Sequence, residues 1–197
     1  MRSLRNGLAL VLLLAACGGD GATTTTDGST TSEANSTTVP TGETVEFKRA
    51  LLKVEINATD SDAGLQIDLD HEPWSALSLT APDGSKLLNV VNQGVLEGYG
   101  LTELFSESSE PSFDVFPLDE FKALFPAGVY VFEGVTIDGV KLRSTFALTH
   151  DFPTGPEILS PIEASTVAKT DLVVEWAPVT EPVGIEIVRY QVLVINE

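Results

Sequence analysis

Val129-Tyr130-Val131-Phe132-Glu133-Gly134-Val135-Thr136-Ile137-Asp138-Gly139-Val140-Lys141-Leu142-Arg143-Ser144-Thr145-Phe146 carries the clearest local instruction in the chain. Large apolar and β-branched residues run on both sides of Asp138-Gly139, a pair that tolerates the positive φ angles of a type I′ turn. The stretch therefore reads as a β-hairpin, and a hairpin-first reading sets the expectation for what surrounds it. Upstream, Lys53-Val54-Glu55-Ile56-Asn57 and Leu65-Gln66-Ile67-Asp68-Leu69-Asp70 alternate apolar and polar. That period of two places Val54, Ile56, Leu65, Ile67 and Leu69 on buried faces of half-buried strands. Leu77-Ser78-Leu79-Thr80 and Lys86-Leu87-Leu88-Asn89-Val90 flank Ala81-Pro82-Asp83-Gly84, where Pro82 presets φ and Gly84 accepts φ > 0, so a further hairpin is expected. Trp74, directly after Pro73, is expected to pack at a strand end.

One segment departs from the strand period. Leu118-Asp119-Glu120-Phe121-Lys122-Ala123-Leu124-Phe125 lies between Pro117 and Pro126, with Leu118, Phe121, Leu124 and Phe125 at helical spacing and acids in its first turn. The expected fold class is thus mostly β: an antiparallel β-sandwich of immunoglobulin-like type with one short helix, over residues 45–151.

Beyond Pro153 and Pro156 come Leu172-Val173-Val174-Glu175-Trp176-Ala177-Pro178 and Ile185-Glu186-Ile187-Val188-Arg189-Tyr190-Gln191-Val192-Leu193-Val194. Trp176, Pro178 and Tyr190-Gln191-Val192 make residues 152–197 resemble the first half of a fibronectin type III domain. The resemblance implies two strands and a core position for Trp176 and Tyr190. It covers about half of such a domain, the tyrosine corner being absent, so the favoured expectation is a fragment or a truncated product, the alternative being a half-domain that completes itself against the first module or a partner.

The N-terminus is of another kind. Arg2 and Arg5 precede the apolar run Leu8–Ala16, which is too short to span a bilayer, an act that takes roughly 20 apolar residues. The run ends at Leu14-Ala15-Ala16-Cys17, which resembles the lipobox of bacterial lipoproteins. That implies a signal peptide over residues 1–16, cleavage before Cys17, and lipid on its thiol. Cys17 is the only cysteine, whereas secreted domains use cysteines in pairs. Residues 18–44 are rich in Gly, Ser, Thr and Asp, include Thr23-Thr24-Thr25-Thr26, and hold too few large apolar side chains to offset their ordering entropy. With Cys17 they read as a disordered linker, 17–44. The expected location is the cell envelope, lipid-anchored to the membrane and facing outside the cytoplasm.

The chain has 11 basic and 29 acidic residues, a formal net charge of −18. Loss of residues 1–16 would remove Arg2 and Arg5 and leave 9 basic residues against the same 29 acids. Such a surface repels polyanions, so nucleic acid is not an expected partner. No Walker loop, GxGxxG turn, GxSxG elbow or HExxH helix occurs, and His71 and His150 lie far apart with no recognisable nucleophile beside either. No catalytic residue, and no enzyme, is expected.

The one chemical cluster is Asn57, Thr59, Asp60, Asp62, Gly64, Asp68 and Asp70, followed by Glu72. Its first reading is a turn, because Asp side chains bond nearby backbone N–H groups. The alternative is an oxygen-rich Ca²⁺ site with Asp60, Asp62, Asp68 and Asp70 as ligands, although the EF-hand spacing fails at Gly64 and His71. Asp60, Asp62, Asp68 and Glu72 would also be carboxylates for glycoside hydrolysis, but the chain is short for the scaffold and aromatic cleft that such chemistry uses. The expectation is a non-enzymatic, membrane-anchored structural, adhesion or ligand-binding module with a protein or glycan ligand. Its alternative is a Ca²⁺-dependent solute- or glycan-binding accessory module.

Overall fold

A computed structural model describes residues 42–163 and 165–192. The proposed signal peptide, Cys17 and nearly all of the linker lie outside the described residues. The chain is mostly β. In order, β1 spans Thr44–Val45, β2 Arg49–Asn57, β3 Asp62–Thr80, β4 Lys86–Val91, α1 Leu96–Tyr99, β5 Leu101–Glu107, α2 Leu118–Leu124, β6 Gly128–Thr136 and β7 Lys141–Leu148. A separate pair follows, β8 Ile158–Ser160 and β9 Glu175–Trp176, with a 3-10 turn at Lys169–Asp171 between them.

The expected hairpins form. β6 and β7 pair antiparallel from Gly128↔Leu148 to Val135↔Lys141, but the connection is not the expected type I′ turn: Gly139 takes φ 83° while Asp138 does not take a positive φ, and Gly139 N donates to Thr136 O at 3.1 Å in a longer loop. β3 and β4 pair from Ala76↔Val91 to Thr80↔Lys86, with Asp83 Oδ1 accepting from Ser85 N at 2.9 Å to close the turn. Helix α2 starts immediately after Pro117, its Asp119 and Glu120 at the positive end of the helix dipole, and buries Phe121. One helix was expected; the four-residue α1 is a second.

The larger difference is β3. Leu65–Asp70 and Leu77–Thr80 are not separate strands but parts of one 19-residue strand that runs through His71-Glu72-Pro73-Trp74. Proline lacks the N–H that a ladder uses, and the ladder gives way here: pairing with β5 shifts register between Asp70 and Trp74. Pro73 still contributes its carbonyl, which accepts from Ile137 N at 3.0 Å. Over its first half β3 is flanked by β2 and β5, over its second by β6 and β4. β1 joins β7 in parallel, so the seven-stranded sheet is curled and mixed rather than purely antiparallel.

Trp74 is consequently not at a strand end but mid-strand and 0% exposed, among Leu52, Leu69, Leu79, Tyr130, Phe132 and Leu142. Each such side chain contributes about 1.5–3 kcal/mol by leaving water. Gly134 is a glycine because Phe47 crosses it: a Cβ there would lie 2.9 Å from Phe47 Cζ and 3.0 Å from Ala76 O.

The C-terminal segment is thinner than expected. Strands were expected at 172–178 and 185–194; only Glu175–Trp176 pairs, with Ile158–Ser160, residues 185–192 hold no regular element, and 193–194 lie outside the described residues. A two-stranded ladder is marginal alone, and Pro178 and Pro182 cannot donate to it. Trp176 and Tyr190 do meet, with ring centroids 5.3 Å apart, and Val179 N donates to the Tyr190 hydroxyl at 3.1 Å. Both rings are half-buried, and around them Val173, Val183 and Val188 are exposed. Among the described residues, no helix is long and apolar enough to cross a membrane.

Candidate functional site

In a paired sheet, residues opposite one another share a face. The register of β2, β3 and β5 therefore lays out the outer face of the sheet in rows: Arg49, Asp70 and Glu103; Leu51, Asp68 and Phe105; Lys53, Gln66 and Glu107; then Glu55 beside Gly64. The opposite face carries Leu65, Ile67 and Leu69 into the core.

The four aspartates put forward as Ca²⁺ ligands do not converge. Asp68 and Asp70 belong to Arg49, whose Nε donates to Asp68 Oδ1 at 2.9 Å and whose Nη1 lies 3.6 Å from Asp70 Oδ2, with Glu103 3.9 Å from Nη2. Asp60 serves the turn: Asn57 Nδ2 donates to Asp60 Oδ2 at 2.7 Å, and Asn57 Oδ1 accepts from Thr59 N at 3.1 Å. Asp68 lies six residue steps along the strand from Asp62, about 20 Å at the usual rise. One ion cannot bridge that distance, so the set is corrected: Asp68 and Asp70 pair with Arg49, Asp60 with the Asn57 turn, and Asp62 belongs to neither group.

A different group assembles. One carboxylate oxygen each from Glu55, Glu107 and Glu110 lies within 4.8 Å of the others. Gln66 holds two of them, its Nε2 donating to Glu55 and, at 3.0 Å, to Glu107 Oε1. Glu110 reaches over Gly64; a Cβ at that position would lie 2.8 Å from Glu110 Cγ. Asp62 stands beside the trio, its Oδ1 buried with no hydrogen-bond partner among the described residues. Burial, and then the charge of Glu107, push the Glu55 carboxyl above its usual value, and Asp62 adds to this. Glu110 is raised by the same two causes in the same order. Both groups are thus less comfortable ionised than a glutamate in water.

Ca²⁺ binds oxygens at 2.3–2.6 Å, so ligands on opposite sides of an ion lie roughly 5 Å apart. The trio has that spacing and the hard, anionic donors that Ca²⁺ prefers. Sequence reasoning passed over Glu107 and Glu110. The Glu107-Ser108-Ser109-Glu110 spacing is a faint signal, and the partner Glu55 is brought to it only by the register of three strands.

The histidines have structural roles. His71 lies within β3, not at its end, and its Nδ1 accepts from Lys48 N at 3.3 Å; His150 Nε2 lies 2.8 Å from Phe125 O, which it meets as a donor. Comparison with family models, with curated proteins and with solved structures gives no match.

Proposed function

We propose that this chain is a lipid-anchored lipoprotein of the bacterial envelope that holds a non-enzymatic, ligand-binding or adhesive β-module outside the cytoplasm. The observation that carries the reading is Leu14-Ala15-Ala16-Cys17 at the end of a short apolar run, with Cys17 the only thiol and a polar linker after it. A lipidated cysteine contributes about 0.8 kcal/mol for each CH₂ buried in the bilayer, which makes release slow when several chains are attached. An immunoglobulin-like sandwich followed by a partial fibronectin type III module is the finer architecture. The change of partners along β3 and the Trp176–Tyr190 contact support it.

The anchor is tested by feeding an alkyne fatty acid to a bacterium expressing the full chain. The expected result is a labelled protein in the membrane fraction, and loss of both label and membrane association in Cys17→Ser. A wild-type protein that stays unlabelled and soluble would refute the anchor.

A second reading, a Ca²⁺-dependent solute- or glycan-binding accessory, is supported by the close approach of Glu55, Glu107 and Glu110. Ca²⁺ would be held by those three, with Asp62 able to complete the set. This chain's residues would place the ion where β2, β3 and β5 meet, fixing the approach of Glu110 to the sheet.

A further inference from the structure

β5 pairs with β3 along one edge and with no strand along the other, among the described residues. Its free edge therefore offers unpaired N–H and C=O groups on alternate residues of Leu101–Glu107, a template for another strand. Its outward side chains are Glu103, Phe105 and Glu107, and Phe105 is 66% exposed although it sits opposite the half-buried Asp68. Leu104, facing inward, packs against the core and keeps the strand in register.

Charge decides what this edge will accept. A second copy docking antiparallel about Phe105 would set each copy's Glu103 against the other's Glu107, and like charges placed directly opposite are unfavourable. The acids continue inward, since Asp70 lies beside Glu103, and Glu107 belongs to the trio with Glu55 and Glu110. Arg49 is engaged at closer range by Asp68 and Asp70 and reaches Glu103 only at 3.9 Å from Nη2, which leaves the Glu103 side chain 70% exposed to a further cation. A strand with Lys or Arg opposite Glu103 and Glu107 and an apolar residue opposite Phe105 would satisfy every position: two opposite-charge pairs, one ring contact, and the backbone ladder between them.

We propose that the free edge of β5 captures an extended cationic segment of a partner protein, adding it to the sheet as an antiparallel strand with basic residues opposite Glu103 and Glu107 and an apolar one opposite Phe105. This deepens the ligand-binding part of the reading above and rests on it; it is independent of the lipid, and because Glu107 is shared with the glutamate trio it is tested without Ca²⁺.

The test uses the full Cys17→Ser chain with EDTA at low salt, where exposed charges are least screened. A fluorescent seven-residue peptide, Thr-Lys-Thr-Val-Thr-Lys-Thr, is titrated by anisotropy beside the same peptide with Glu for Lys. The lysine peptide should bind at least about tenfold more tightly, and Glu103→Lys/Glu107→Lys should reverse the preference. Glu103→Lys alone, remote from the glutamate trio, should shift it in the same direction. Saturating lysine peptide should slow amide exchange at alternate residues of 101–107. Equal binding of the two peptides, indifference to the charge reversal, or binding that leaves exchange in 101–107 unchanged would each overturn the proposal. None of these results bears on the labelling of Cys17.

Discussion

Trp74→Ala is expected to lower the stability of the folded chain by about 3–5 kcal/mol, enough to leave a typical domain close to its unfolding threshold. The residue is 0% exposed at the point where β3 exchanges partners. Its backbone pairs with Leu101 of β5 and Thr136 of β6, and its carbonyl accepts from Asn92 Nδ2 at 2.7 Å. Truncation leaves a cavity that these bonds prevent from collapsing, so the cost belongs at the high end of what large-to-small changes do. Trp74→Phe separates packing from polarity. The indole Nε1 is buried with no hydrogen-bond partner among the described residues, so phenylalanine removes an unsatisfied donor while keeping most of the ring. It should therefore lose much less than alanine. Urea unfolding followed by circular dichroism measures both. A Trp74→Ala loss under about 1 kcal/mol would mean that the junction is not packed as described. Trp176→Ala is the contrast: its ring is half-buried, and the sheet of β1–β7 should melt almost unchanged.

The contrast between the two tryptophans also separates what sequence makes legible from what it does not. The β6–β7 hairpin is written in adjacent residues, because Asp138-Gly139 sets the turn and the alternation on either side sets the faces. Helix α2 is equally local, bracketed by Pro117 and Pro126. β3 is not local. Pro73 argues for a break, and only tertiary pairing on both sides, with β2 and β5 and then with β6 and β4, carries the strand past it. The acidic site failed for the same reason. Asp60, Asp62, Asp68 and Asp70 are close in sequence, yet strand geometry pulls them apart, whereas Glu55 meets Glu107 and Glu110 across more than fifty positions through register alone. Spacing along a chain reports a site only where the backbone turns; along a strand it reports distance.

The glutamate trio should make stability depend on pH and on Ca²⁺ together. Glu55 and Glu110 hold their protons more tightly folded than unfolded, through burial and then the charge of Glu107. Between the ordinary glutamate value of 4.5 and their raised folded values, the folded chain carries more protons than the unfolded one. Stability conferred by these two groups therefore falls as pH rises through that window, and above it the mutual repulsion is fully present. A cation in the trio offsets that repulsion where protons no longer do. With a dissociation constant of about 10⁻⁴–10⁻³ M, as extracellular Ca²⁺ modules have, about 10 mM CaCl₂ adds roughly 1.4–2.7 kcal/mol by mass action, or about 3–10 °C in Tm. The rise should be present near pH 7 and much smaller near pH 4, where the raised Glu55 and Glu110 carboxyls hold protons that compete with the ion. Glu107→Gln and Glu110→Gln should each reduce it, and Gly64→Ala should do so without removing a carboxylate, because its Cβ displaces Glu110. Asp60→Ala and Asp68→Ala should leave it intact. A Ca²⁺ response that survives both glutamine variants but vanishes with Asp68→Ala would move the ion to the Arg49 cluster. No response at either pH would leave the trio as an acid group whose repulsion is relieved by protons and by the Gln66 amide rather than by a cation.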